Sequence, residues 1–89
     1  EVERKGAYLE SKLKHDKVKE IRRKGLMFAV DLADFDEVKS VFDYCLDKGL
    51  LTFWFLSTSY AFRLSPPLTI SYEQLDSAAS VIQEALDRI

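Results

Sequence analysis

The chain has 89 residues, 47% hydrophobic and 31% charged, with 13 Lys and Arg against 15 Asp and Glu for a net charge of −2. That length supports one domain with one modest core, and the composition excludes disordered and collagen-like classes. No apolar run nears the roughly 20 residues of a transmembrane helix. The single cysteine, Cys45, excludes an internal disulfide and a multi-cysteine zinc site, and fits a reducing, cytoplasmic setting.

The chain opens at Glu1 with neither a methionine nor a basic-then-apolar leader, so it is expected to be processed or cut from a longer protein. Residues 1–14 read as a helix with a thin apolar stripe, Val2, Leu9 and Leu13. Glu1–Lys5 and Glu10–Lys14 stand in the favourable i,i+4 order. Residues 17–22 read as a short strand inside a basic segment, residues 12–24, where seven Lys or Arg face only Asp16 and Glu20. The segment has no aromatic to stack on a base, so a solvated strand and turn is expected rather than a nucleic-acid site. LMFAVDL, residues 26–32, is a stronger strand, with Leu26, Phe28, Val30 and Leu32 on one face and Met27 and Ala29 on the other. Apolarity on both sides points to a covered central strand, and Lys24 and Gly25 mark the turn before it.

Asp34 and Glu37 have capping-box spacing, and Val38, Val41, Phe42, Cys45 and Leu46 then form one helical face that ends at Lys48 and Gly49. On that stripe Cys45 reads as a core residue rather than a nucleophile. Residues 50–64 read as two short strands joined by Ser57, Thr58 and Ser59, and Pro66 and Pro67 end the second. Ser71 and Gln74 open a last helix with Leu75, Ala78, Ala79, Ile82, Leu86 and Ile89 on one face. The expected fold is therefore α+β, a two-layer small domain. Its antiparallel sheet of three to four short strands carries helices on one face, in the order α-β-β-α-β-β-α.

Little here carries chemistry. His15 has no partner at metal-ligand spacing, Gly6, Gly25 and Gly49 are too scattered for a phosphate loop, and no histidine is placed to serve a serine nucleophile. Two features remain. Arg63, in the apolar run AFRL, needs an anion, supplied either by an acid of the chain or by a ligand. Phe53, Trp54, Phe55 and Leu56 are four consecutive large apolar residues, of which a strand buries only half on one face.

Gly25-Leu26-Met27 after Arg22, DKGLL at 47–51, FRLSPPLTIS at 62–71 and the closing amphipathic helix together resemble the C-terminal small domain of fold-type I pyridoxal-phosphate aminotransferases. More narrowly they resemble the class III group, which includes acetylornithine and ornithine aminotransferases. The resemblance spans nearly the whole chain, and its most specific piece is Arg-Leu-x-Pro-Pro-Leu. It implies that residues 1–89 are one small domain that closes over the active site, with Arg63 taking the substrate carboxylate. In ornithine-type relatives that arginine pairs with a large-domain glutamate in one half-reaction. Pyridoxal 5'-phosphate, its lysine and its phosphate loop would lie in a large domain outside this chain, so these residues alone are not expected to be catalytic. Implied partners are that large domain, a second subunit, and amino acid and 2-oxo acid substrates, with no nucleic acid and no membrane.

Phe53, Trp54 and Phe55 are then expected at the interface with the large domain or the partner subunit. The thin first helix and the two-sided strand likewise call for a surface outside the chain. One departure is local: many relatives have Arg-Gly-x-Gly-Leu where this chain has Arg22-Arg23-Lys24-Gly25-Leu26, so the turn is expected to differ. The rival reading is a free-standing amino-acid-binding or protein-interaction module. A ferredoxin-like regulatory domain would run strand, helix, strand, strand, helix, strand, whereas here paired strands precede each later helix.

Overall fold

The computed structural model describes residues 2–49, 55–57 and 60–89. In chain order its elements are α1 (Val2–Lys12), β1 (Glu20–Lys24), β2 (Met27–Asp31), α2 (Phe35–Asp47), β3 (Phe55–Ser57), β4 (Ala61–Leu64) and α3 (Tyr72–Asp87). The strands form one antiparallel sheet in the order β1-β2-β4-β3. This is the expected α+β architecture.

The core forms because alternation in the strands meets helical stripes of matching length. Phe28 and Val30 of β2, Phe62 and Leu64 of β4, and the flanking Leu26 and Leu32 are all buried. They pack with Val38, Val41 and Cys45 of α2, with Leu75, Ala79, Ile82 and Leu86 of α3, and with Leu9 and Leu13 at α1. The helices thus cover one face of the sheet. Both later helices start where the caps were read. Ser71 and Gln74 make both bonds of a capping box, Gln74 N–H to Ser71 Oγ at 3.1 Å and Ser71 N–H to Gln74 Oε1 at 3.0 Å. At α2 the box is half made: Asp34 accepts from Glu37 N–H at 2.9 Å, but the Glu37 carboxylate accepts from Ala33 instead.

Three local expectations change. The first strand starts three residues and ends two residues later than read, because Lys24 pairs with Met27 and the ladder runs right up to a two-residue loop, Gly25-Leu26. Gly25 has φ +59, while Leu26 stays at negative φ; a left-handed first loop position is where glycine costs nothing. The i,i+4 pair of Glu10 gives way to tertiary contacts. Arg23 donates Nε to Glu10 Oε1 at 2.6 Å, Nη2 to Glu3 Oε1 at 2.8 Å and Nη1 to the Gly25 carbonyl at 3.0 Å. The pair with Glu1 lies outside the described residues.

The third change concerns α1, whose thin stripe is covered within the chain. Gly6 lets the helix sit so close to the hairpin loop that an added Cβ would stand 2.2 Å from the Gly25 carbonyl oxygen. On the other side Lys5 Nζ donates to Ile70 O at 2.6 Å. Tyr8 meets Tyr72 edge-on at 5.0 Å and donates to Asp76, and Gln83 donates to the Lys12 and Lys14 carbonyls at the end of α1.

Candidate functional site

The second face of the sheet has no helix on it among the described residues, and the same alternation that fills the core decides what it shows. Arg22, Ala29 and Arg63 stand in one cross-strand row over β1, β2 and β4. The neighbouring rows add Glu20, Asp31 and Ala61 on one side, and Lys24 and Met27 on the other. Met27, at the hairpin end of β2, is a large apolar side chain that is 55% exposed. β2 is therefore the central strand that its pattern promised, and among the described residues helices cover only one of its faces.

Arg63 sits on this open face, exposed, while its neighbours Phe62 and Leu64 are buried. It makes no ion pair or side-chain hydrogen bond with the described residues, so the internal partner that one reading required is not among them. A shallow cavity of about 280 Å³ lies beside it, lined by Arg22, Arg23, Lys24, Met27, Phe28, Ala29 and Arg63. Arg22 Nη2 donates to Asp31 Oδ1 at 2.6 Å, a bond that holds the guanidinium above its ordinary pKa. The Arg23 guanidinium is likewise held above its ordinary pKa, by Glu10 first and then Glu3. A larger groove of about 590 Å³ runs between α2 and α3, but Asp36, Glu37, Asp43 and Asp47 line it, the wrong sign for capturing an acid. The open face is the better site because its free charge is positive.

The other singled-out residues fall elsewhere. Phe53 and Trp54 lie outside the described residues; Phe55 opens β3, one of the two edge strands of the described sheet. Cys45 is fully buried in the core, and burial pushes its thiol up to about 12, which makes it inert as a nucleophile at neutral pH. His15 is less solvated than its charged surroundings suggested. Lys17 N–H donates to its Nδ1 at 3.0 Å, which leaves Nε2 as the donor to Asp87 Oδ1 at 2.7 Å. No three His, Cys, Asp or Glu among the described residues are grouped to hold a metal ion, and no described helix is long and apolar enough to cross a membrane. Sequence reading missed that Arg22 lines the cavity beside Arg63. Its signal was the alternation Glu20, Arg22, Lys24, which puts all three on one face.

The sequence profile of the class-III aminotransferases matches residues 1–86. The chain belongs to the class-III aminotransferase family. It is 35% identical over 94 residues to the acetylornithine aminotransferase of Caldanaerobacter subterraneus subsp. tengcongensis, covering 99% of this chain and 23% of that protein. It is 33% identical over 89 residues to the (R)-1-hydroxy-2-aminoethylphosphonate ammonia-lyase of Vibrio splendidus, covering 91% and 18%. Among solved structures, a PLP-bound amine transaminase from an uncultivated Pseudomonas species superposes with a TM-score of 0.83 at 26% identity, covering 98% of this chain and 22% of that one. The chain thus spans about a quarter or less of the length of the relatives it matches.

Proposed function

We propose that residues 1–89 are the C-terminal small domain of a pyridoxal-phosphate-dependent aminotransferase. In this reading the domain closes over the active site and Arg63 binds the substrate carboxylate. The observation that carries it is the position of Arg63, on the uncovered face of β4 and without a partner among the described residues. The family match over residues 1–86 supports it over a free-standing binding or interaction module.

The described glycines do not fit the cofactor's phosphate. Gly6, Gly25 and Gly49 serve a helix contact, a hairpin loop and a helix end rather than a phosphate cradle. Pyridoxal phosphate would be held by the large domain, and no step at the cofactor is assigned to this chain. Phe53, Trp54 and Phe55 are proposed to pack on that domain or on a second subunit.

What this chain contributes is recognition. A guanidinium offers a planar fork that meets both oxygens of a carboxylate, and a rigid strand fixes where that carboxylate sits. Once the open face is covered, water leaves, and a fixed cation there separates acids from neutral amines. The test is Arg63→Lys in the full-length protein. Turnover of carboxylate-bearing amino donors should fall at least about tenfold in kcat/KM, because lysine lacks the fork, while an amine donor without a carboxylate keeps its rate. Unfolding should be unchanged. Equal losses for both donors, or a matching loss of stability, would reduce Arg63 to a structural charge.

A further inference from the structure

The cavity beside Arg63 has one wall that the sheet alone does not hold. Its lining includes Arg22, Lys24 and Met27 of the β1–β2 hairpin. The register of β2 with β4 ends at Phe28 and Leu64, whereas Lys24 and Met27 pair only with each other, one step nearer the loop. The hairpin end thus overhangs β4, and β1 is an edge strand of the described sheet, paired there with β2 alone. A two-stranded end of this kind is marginal in water unless something else packs on it.

Among the described residues that support is α1, on the covered face, and it acts through one side chain. The Arg23 guanidinium donates Nε to Glu10, Nη2 to Glu3 and Nη1 to the Gly25 carbonyl, so one rigid fork joins two acids of the helix to the hairpin loop. The Arg23 side chain is only 16% exposed, and Glu10, at 36%, is the less exposed of its two acids, Glu3 being at 75%. A shared, partly desolvated network counts for more than a single solvated pair. Gly6 seats the helix against the same fork, since a Cβ there would stand 2.5 Å from Arg23 Nη1.

We propose that Arg23 is a positioning residue for the acid site: its tie to Glu10 and Glu3 fixes the overhanging hairpin end, and with it the wall beside which a carboxylate is bound on Arg63. The proposal rests on the assignment of that carboxylate to Arg63.

The direction of the effect separates this role from plain electrostatics. Glu10 belongs to α1 and is not one of the residues lining the cavity. Neutralising it leaves the neighbourhood more positive, so by field alone Glu10→Gln should hold an anion as tightly as before or more tightly. Where Glu10 supports the wall through Arg23, the same change should weaken the anion instead. Lost position and gained positive charge thus act with opposite signs on one measurement.

Calorimetric titration of the full-length protein with pentanoate makes that measurement, because this acid has one carboxylate and no amino or oxo group to react. Glu10→Gln should weaken pentanoate about two- to thirtyfold, the range for residues that act on a ligand they do not touch. Hydrogen exchange at the amides of residues 24–29 should quicken in the same variant. Arg23→Gln should also weaken pentanoate, and adding Glu10→Gln to it should change little, because the two side chains make one contact. Glu3→Gln alters a largely exposed acid, so it should fold even where Glu10→Gln does not, and show the same two changes in smaller measure. Unchanged or tighter pentanoate binding in the glutamate variants would overturn the positioning role and leave Arg23 as a structural charge. Weaker binding without faster exchange at 24–29 would overturn it too. Pentanoate bound equally well by Arg63→Gln would instead remove the carboxylate role of Arg63, a separate failure.

Discussion

β2 and β4 each send alternate residues into two different surroundings. Toward the helices, Phe28, Val30, Phe62 and Leu64 are no more than 3% exposed, inside a core to which all three helices contribute. Toward the open side, Ala29 and Arg63 face each other across the same two strands with Met27 exposed beside them. One residue of shift along a strand separates a finished core from an unfinished surface. The covered face is thus read as the part that makes this chain fold, and the open face as the part that makes it useful once something else covers it.

The comparison is broken most severely on the covered face. Phe62→Ala removes a fully buried ring beneath the helices, and the lost transfer energy plus the residual cavity should cost about 3–5 kcal/mol, read by denaturant unfolding of the 89-residue chain. For a domain this small, that is a large share of the total. Ionising Cys45 attacks the same core chemically. Its folded pKa of about 12 lies above the ordinary 9.0 because burial disfavours the thiolate. The folded state therefore holds the proton that the unfolded chain gives up. The contribution is fully present below pH 9 and is lost as pH rises from about 9 towards 12. Cys45→Ala should flatten that alkaline limb, and in the unsubstituted chain a thiol reagent at pH 8 should react only on unfolding.

Where sequence could be read, it was because one local signal and the tertiary structure agreed. The alternation of residues 26–32 and the Ser71/Gln74 box needed no distant partner, and both stand as read. The misread places depend on contacts far apart in sequence. Glu10 has a local lysine four residues on, yet Arg23 takes it, because the hairpin carries that guanidinium over α1. The exposure of Arg63 was hidden by its apolar neighbours, since Phe62 and Leu64 belong to the other face.

Gly6 is the clearest case of distant contact overruling local preference, and it yields the next prediction. By helix propensity alone Gly6→Ala should stabilise α1 by up to about 1 kcal/mol. A Cβ there meets the Gly25 carbonyl at 2.2 Å and Arg23 Nη1 at 2.5 Å, and backbone cannot swing aside as a side-chain tip can. The sign should reverse, to a net loss of about 1–2 kcal/mol, as the helix lifts and strains the bonds of Arg23 to Glu3 and Glu10. A gain in stability would show that α1 does not rest on the hairpin loop as described.

The smallest expected effect belongs to the open face and tests the contrast most strictly. Arg63→Ala removes a long side chain from the middle of a sheet, next in sequence to Phe62, yet it has no partner among the described residues and faces away from the core. No described carboxylate loses a mate, so unfolding of the 89-residue chain should change by less than about 0.5 kcal/mol. Met27→Ser, on the same face, should behave alike, because its side chain is already largely in water. A loss of several kcal/mol at either position would mean that the face is already closed in this chain, and the charge of Arg63 would then have to be met from within it. Near-zero effects at both, beside the large one at Phe62, would mark a surface kept for binding rather than for folding.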